Sequence, residues 1–267
     1  MGDARPSAVL FDLDGVFFVA DRPIAGGREV LDWLRAEQVP FEFVTNTTSH
    51  PRSYLAAKLA RFGIEVAPSQ ILTPVVAARD VIIERAAQPV AAFLPEESAP
   101  ELEGLRLVPI SHDGPVGAVV VGDLGGSWDF TTMNRAFRLL MVDPPPLLVG
   151  LGMSRYWADH DGLVLDVGPF VRALEFAADT EAIITGKPSV SFFHTAARRL
   201  GRRPEEIVMV GDDVRSDVGG AQAAGLGGAL VRTGKFDVAD LARGVTPDVV
   251  LDSVADLPDW WASMRRG

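Results

Sequence analysis

Two aspartates, Asp12 and Asp14, stand two positions apart directly after a short apolar run. Carboxylates this close repel each other unless a cation offsets their charge. A site of oxygen ligands suits Mg²⁺. One carboxylate is able to attack phosphorus as a nucleophile, while the other protonates the leaving oxygen and later activates water. The pair predicts either phosphoryl transfer at a Mg²⁺ site or a plain turn that caps a helix.

Two further clusters supply groups that bind phosphate. Thr45 and Asn46 follow the next apolar run, and their hydroxyl and backbone N–H groups suit phosphoryl oxygens. Lys187 precedes Pro188, which restrains the backbone at the start of a helix. A lysine held in this way neutralises charge on the phosphoryl group and on the attacking carboxylate. A turn at 45–46 and a solvated surface lysine are the alternatives.

More carboxylates, those of Asp212, Asp213 and Asp217, follow the apolar run 207–210. Asp212 is placed to ligate the metal, whereas Asp213 and Asp217 are placed to orient the site around it. Each cluster taken alone is also typical of an ordinary turn. Their order along the chain, each after an apolar run, favours one shared site with a nucleophile, an acid/base, a lysine and a metal.

Short apolar runs alternate with helical patterns at both ends of the chain. The runs Ala8–Phe11, Phe41–Val44, 183–185 and 207–210 each precede one of the polar clusters. This alternation predicts an α/β fold with a Rossmann-like parallel sheet covered by helices on both faces. Ligands of such sheets bind beyond the carboxyl ends of the strands. We therefore expect the four clusters to meet along one edge of the sheet.

The middle of the chain, residues 80–180, has strand and helix patterns of its own. It predicts a second α/β domain inserted into a discontinuous core of residues 1–79 and 181–267. Two loops of the insertion offer candidate specificity residues. Trp128 could stack on a substrate ring, and Arg155 could pair with a second anionic group. Packing inside the insertion and a solvated charge are the respective alternatives.

Composition narrows the class of protein. Hydrophobic residues make up 48% of the 267 residues, enough for a sizeable core. The net charge of -11 disfavours nucleic acid and anionic membranes as partners. Cysteine is absent, which excludes thiolate nucleophiles and Cys-ligated zinc. The N-terminal residues lack the apolar run of a secretory signal, so we expect a soluble, cytoplasmic protein.

The combined motifs resemble those of the haloacid dehalogenase (HAD) superfamily of phosphatases. The four family motifs match Asp12 to Gly15, Thr45, Lys187, and Asp212 with Asp217. The insertion lies between the threonine and the lysine, where type II (C2) caps occur, and resembles the nitrophenylphosphatase-like subfamily IIA. Further matching stretches are 43–46, 165–169, 186–189, 211–213, 217–222 and 231–236.

The resemblance implies a role for each motif residue. Asp12 would be the nucleophile and Asp14 the general acid/base. Mg²⁺ would be held by Asp12, the backbone carbonyl of Asp14 and Asp212, while Thr45 and Lys187 would bind the phosphoryl group. It also implies a small phosphorylated metabolite as substrate and a homodimer formed through the cap. Two alternatives stay open: transfer to another hydroxyl, as in a mutase, and a binding protein that turns nothing over.

Overall fold

The structure, a computed structural model, describes residues 5–159, 162–242 and 244–266. Its chain forms two compact units. The first comprises the described residues of Met1–Thr45, Arg52–Leu72 and Lys187–Gly267, and the second those of Asn46–Pro51 and Thr73–Gly186. No helix among the described residues has the length and hydropathy needed to cross a membrane.

Strands and helices alternate along most of the described chain. The strands are β1 (Ala8–Phe11), β2 (Phe18–Val19), β3 (Arg22–Pro23), β4 (Phe41–Val44), β5 (Ile71–Leu72), β6 (Val90–Phe93), β7 (Leu107–Val108), β8 (Ala118–Val121), β9 (Leu147–Gly150), β10 (Tyr156–Asp159), β11 (Gly162–Leu165), β12 (Ile183–Ile184), β13 (Ile207–Gly211), β14 (Gly227–Val231) and β15 (Val249–Leu251). The helices are α1 (Gly27–Ala36), α2 (Arg52–Arg61), α3 (Pro74–Glu84), α4 (Phe130–Leu140), α5 (Val167–Ala178), α6 (Val190–Leu200), α7 (Gly220–Ala223) and α8 (Leu257–Arg266).

The first unit is built on a six-stranded sheet in the order β15-β14-β13-β1-β4-β5. Every neighbouring pair in this sheet is parallel. All four residues of the central strand β1 are buried, as expected of a strand covered on both faces. These observations confirm the predicted α/β class with a parallel-sheet core. They also place the ends of β1, β4 and β13 side by side.

An aromatic cluster on one face of this sheet packs below the ends of β1 and β4. The rings of Phe11 and Phe43 each lie near that of Phe17, with centroids 5.3 Å away in both cases. Helix α1 covers the same core with Val30, Leu31 and Leu34, whose spacing gives one apolar face. This packing anchors the loop that carries the first two aspartates.

The second unit contains a five-stranded sheet in the order β12-β9-β8-β6-β7, again parallel throughout. Alternate residues of β8 face opposite sides. Val119 and Val121 pack in one cluster with residues of α4 and α5, while Ala118 and Val120 pack with residues of α3. Strands β10 and β11 pair separately as an antiparallel hairpin.

Two boundary elements differ from the sequence prediction. Strand β12 was expected to belong to the first sheet, but it pairs with β9 of the second. Helix α3 begins before the expected boundary at residue 80 and packs with the second unit through Val75, Ala78 and Ile82. The compact second unit thus includes more residues than the predicted insertion of 80–180. Its role as a cap stays a prediction. The predicted ranges also include residues 1–4, 160–161, 243 and 267, which lie outside the described chain.

Candidate active site

Asp12 continues directly from β1 at the carboxyl edge of the first sheet. Its N–H donates to the carbonyl oxygen of Val210 at 2.9 Å, which extends the pairing with β13. Its Oδ1 accepts a hydrogen bond from the N–H of Leu13 at 2.8 Å. Burial raises the pKa of Asp12, and the charge of Lys187 opposes that rise. The carboxylate is therefore held in a defined orientation in a poorly solvated place.

Asp14 occupies a different environment, although it lies only two residues away. Its side chain is exposed, and its carboxylate makes no hydrogen bond or ion pair with the described residues. Gly15 follows with a φ of +78°. A Cβ atom at Gly15 would lie 2.0 Å from Asp212 Oδ2, so only glycine allows this loop to pass the carboxylate. The two aspartates thus separate into a buried, fixed group and a free, solvated one.

The segment after β13 supplies the second set of carboxylates. Asp217 is fully buried, and its Oδ2 accepts from the N–H of Asp213 at 3.1 Å. Asp213 Oδ1 accepts from the N–H groups of Arg215 and Ser216, each at 2.9 Å. Burial raises the pKa of Asp213, but these two hydrogen bonds outweigh it, so the net shift is downward. Asp213 therefore caps the turn that carries Asp217.

Lys187 joins the two sets of carboxylates. Its Nζ lies 2.7 Å from Asp12 Oδ1 and 2.7 Å from Asp217 Oδ1. The lysine is buried, which by itself lowers its pKa, yet the two carboxylates raise the pKa above its ordinary value. A lysine that stays charged in this position fixes both carboxylates at once.

The centre carries more negative than positive charge. Oxygen atoms of Asp12, Asp212 and Asp217 lie within 4.8 Å of one another, and the ammonium of Lys187 pairs with Asp12 and Asp217. The charges of Lys235 and Lys187 also act on Asp212. Burial raises the pKa of Asp212 to about 6 and that of Asp217 to about 6. Asp212 Oδ1 is buried and has no hydrogen-bond partner among the described residues. Three clustered carboxylates, among them this unpartnered oxygen of Asp212, fit a divalent cation with a preference for oxygen ligands.

Thr45, a predicted phosphate-binding residue, follows the strand that neighbours the strand of Asp12 in the first sheet. Thr45 is buried directly after β4, the neighbour of β1, and its N–H donates to the carbonyl oxygen of Leu72 at 3.1 Å. Asn46 is exposed and groups with the second unit. The structure thus brings Asp12, Lys187, Asp212 and Asp217 into contact and places Thr45 at the same sheet edge. The phosphate-binding roles of Thr45 and Asn46 stay predictions.

The two candidate specificity residues of the second unit, Trp128 and Arg155, have different surroundings. The indole of Trp128 stacks on Phe93 and Phe170, with ring centroids 5.7 and 5.1 Å away, and its Nε1 donates to the carbonyl oxygen of Gly122. These contacts account for the side chain as part of the core of the second unit, so the prediction that it stacks on a substrate ring is not supported. Arg155 is exposed, with its guanidinium 5.5 Å from the ring centroid of Tyr156. Its role stays a prediction.

The turn after β14 adds two contacts to the site that the sequence motifs did not predict. The N–H of Lys235 donates to Asp212 Oδ2 at 2.6 Å, and the hydroxyl of Thr233 donates to the carbonyl oxygen of Gly15. The sequence signal was a glycine, Gly234, shortly after an apolar strand.

A hydrolase with a Rossmann-like, parallel α/β core is the class that this fold and its carboxylate centre indicate. Two family models match the chain: haloacid dehalogenase-like hydrolase over residues 9–107, and HAD-hydrolase-like over residues 184–257. The chain belongs to the haloacid dehalogenase-like hydrolase family, as its motifs predicted, and it is accordingly an enzyme.

Named relatives cover most of the chain. Haloacid dehalogenase-like hydrolase domain-containing protein 2 of Bos taurus is 40% identical over 87% of this chain and 86% of the relative. Phospholysine phosphohistidine inorganic pyrophosphate phosphatase of Xenopus laevis is 35% identical over 94% of this chain and 93% of the relative.

Solved structures agree with the fold. The p-nitrophenyl phosphatase from Archaeoglobus fulgidus has a TM-score of 0.84 at 26% identity, covering 96% of this chain and 99% of that one. NagD from E. coli K-12 has a TM-score of 0.82 at 23% identity, covering 94% and 98% of the two chains. These two structures cover residues of both units of the chain.

The raised pKa of Asp212 predicts how the metal-free protein responds to pH. The pKa of this carboxyl is higher in the folded than in the unfolded state. The free energy of unfolding of the protein therefore falls as pH rises from about 4 to above 6. Asp212→Asn removes this loss. In a chelator, we expect the variant to be more stable than the wild type by ~1–3 kcal/mol at pH 7, with the difference shrinking towards pH 4.

Urea unfolding of both proteins at the two pH values measures this difference. Asp32→Asn, at an exposed carboxylate on α1, is the control for the effect of the amide substitution itself. If the free energies of unfolding of Asp212→Asn and the wild type differed by the same amount at pH 4 and pH 7, the burial of a charged Asp212 would not be the cause.

Proposed function

We propose that this hydrolase is a Mg²⁺-dependent phosphatase that removes phosphate from small phosphorylated metabolites through an aspartyl-phosphate at Asp12. The observation that supports it most is the buried cluster in which Lys187 bridges Asp12 and Asp217 while Asp212 keeps one unpartnered oxygen. The phosphatase names of two relatives, from Xenopus laevis and Archaeoglobus fulgidus, point to the same chemistry.

The first step is attack on the phosphoryl group by the buried aspartate. Asp12 Oδ1 is engaged by Lys187 and by the N–H of Leu13, whereas its Oδ2 has no such partner among the described residues. Oδ2 is therefore the attacking atom. Its lone pair forms a new bond to phosphorus, and the bond from phosphorus to the ester oxygen breaks. The electron pair of that bond leaves with the substrate oxygen, which takes a proton from the carboxyl group of Asp14.

The second step returns the enzyme to its starting state. The exposed carboxylate of Asp14 takes a proton from a water molecule as the water oxygen attacks phosphorus. The bond between phosphorus and Asp12 then breaks, which releases inorganic phosphate and restores both carboxyl groups. The solvated position of Asp14 suits this exchange of protons, while the fixed position of Asp12 suits attack along one direction.

The carboxylates of Asp12 and Asp212, with the backbone carbonyl of Asp14 that the family resemblance implies, would hold Mg²⁺. A bound divalent ion supplies positive charge that offsets the repulsion between the carboxylates and an anionic phosphoryl group. Lys187 contributes a second positive charge, beside Asp12 Oδ1. Asp217 keeps that lysine in place, and Asp213 keeps the turn of Asp217 in place.

The remaining parts of the proposal rest on the resemblance and on composition. Thr45 and Asn46 bind phosphoryl oxygens beside Lys187. The second unit acts as a type II cap that carries substrate specificity, with Arg155 as a candidate contact for an anionic group. A homodimer formed through that unit and a cytoplasmic location complete the proposal, with neither nucleic acid nor membranes as partners.

Phosphate release by the purified chain tests this function. We expect p-nitrophenyl phosphate to be hydrolysed in Mg²⁺ and not in a chelator, with activity restored when Mg²⁺ is added back. A panel of sugar phosphates, nucleotides, pyrophosphate and phosphoamino acids then defines the preferred leaving group. Turnover that is equal with Mg²⁺ and with chelator, or no turnover of any member of the panel, would contradict the proposal.

A further inference from the structure

The turn that follows β14, residues 233–235, contacts the candidate active site at two points. The hydroxyl of Thr233 donates a hydrogen bond to the carbonyl oxygen of Gly15. The N–H of Lys235 donates to Asp212 Oδ2 at 2.6 Å. One short turn therefore joins the loop after β1 to the carboxylate after β13.

Gly234, between these two donors, makes the close approach possible. Its φ is +67°, in the left-handed region that glycine adopts without strain. A Cβ atom there would lie 2.1 Å from Asp212 Oδ2 and 2.5 Å from the Cα of Gly15. Since a Cβ at Gly15 would also overlap Asp212, the carboxylate is enclosed by backbone from both loops.

This enclosure determines how the carboxylate of Asp212 presents its two oxygens. Oδ2 accepts the N–H of Lys235, which fixes the rotation of the carboxylate. Oδ1 is left buried and unpartnered among the described residues, within the cluster formed with Asp12 and Asp217. Hydrogen bonds from outside a metal site commonly orient the ligands in this way.

We propose that the 233–235 turn is a clamp that sets the affinity of the site for a divalent cation. Thr233 holds the loop of Gly15, and the turn then presents the N–H of Lys235 to Asp212. The proposal rests on the proposed function for the presence of the cation. Thr233 acts as a positioning residue, since its hydroxyl is bonded to a backbone oxygen of the protein.

Mg²⁺ titration calorimetry on the metal-free, full-length chain tests the clamp. Thr233→Val keeps the shape of the side chain and removes the hydroxyl, so we expect Mg²⁺ to bind on the order of 10-fold more weakly. Thr233→Ser restores the donor and should recover most of the affinity. In steady-state assays with p-nitrophenyl phosphate at saturating Mg²⁺, kcat of the valine variant should recover towards the wild-type value, with KM unchanged throughout.

Circular dichroism and urea midpoints establish that each variant is folded, and Thr233→Ala removes the same hydroxyl if valine does not fit. Equal Mg²⁺ affinities for the folded valine or alanine variant and the wild type would overturn the clamp while leaving the phosphatase proposal intact. A wild type that binds Mg²⁺ but releases no phosphate would overturn the proposed function, and the affinities would still decide the clamp. A wild type that binds no Mg²⁺ would overturn both.

Discussion

Asp12→Asn is expected to lower kcat for p-nitrophenyl phosphate by roughly 10⁴–10⁶-fold, as for the loss of other enzymatic nucleophiles. The amide is a poor nucleophile, although its oxygen still accepts the N–H of Leu13 and the ammonium of Lys187. Lys187 also keeps its contact with Asp217. We therefore expect the fold to survive, with an unchanged circular dichroism spectrum.

The matched control is Asp32→Asn, the same chemical change at an exposed carboxylate that pairs with Arg28 and Arg35 on α1. It should retain wild-type kcat and KM. Steady-state assays of the three proteins at saturating Mg²⁺ make the comparison. Retention of more than a small fraction of kcat by folded Asp12→Asn would mean that another group attacks phosphorus.

Lys187→Met is expected to cause the largest loss of stability of any single change at the site. Methionine is unbranched and one atom shorter than lysine, and it leaves Asp12 and Asp217 buried without their shared cation. Removal of one partner from a buried ion pair costs about 3–5 kcal/mol. We expect a loss of that size in the free energy of unfolding, measured with urea in the presence of chelator, together with loss of turnover.

Two further variants show whether the uncompensated carboxylates of Asp12 and Asp217 cause the loss of stability. Lys187→Met combined with Asp217→Asn removes one of the two carboxylates and should recover part of the lost stability, but none of the activity. Lys58→Met is the matched control, because the ammonium of Lys58 lies 4.0 Å from the ring centroid of Phe18 and contributes only about 0.5–1 kcal/mol. Equal losses for Lys187→Met and Lys58→Met would contradict the proposed electrostatic role.

Much of the site was predictable because each motif follows a strand. The apolar runs before Asp12, Thr45 and Asp212 form β1, β4 and β13, which are neighbours in one parallel sheet. In a parallel sheet the carboxyl ends share one edge, so a motif directly after each strand places these groups at that edge. The helix α1 and its buried face were likewise evident from apolar residues three and four positions apart.

The membership of β12 was not predictable in the same way. Its two paired residues, Ile183 and Ile184, carry a β-branched, apolar pattern that suits either sheet. Pairing with Val149 and Gly150 of β9 is decided by tertiary contacts that periodicity does not record. Lys187 therefore enters the first unit from the last strand of the second, a route that the expected boundary at residue 181 does not describe.

Contacts between residues far apart in the sequence were also not predictable from the sequence. The indole of Trp128 suits a substrate ring and a core equally well, and only the positions of Phe93 and Phe170 decide the matter. Similarly, the hydrogen bond from the N–H of Lys235 to Asp212 involves a backbone group, which leaves no mark on residue type. Gly234, within the family-matching stretch 231–236, marks this turn in the sequence, but it does not identify the contact.

Chemical trapping of the phosphorylated residue tests the central claim most directly. The protein is mixed with p-nitrophenyl phosphate and Mg²⁺, quenched in acid within one turnover and reduced with borohydride, which converts an aspartyl-phosphate to homoserine. Peptide mass spectrometry then locates the change. We predict homoserine at position 12 in the wild type and none in Asp12→Asn. Rapid turnover with homoserine at another position, or with none at all, would contradict attack by Asp12.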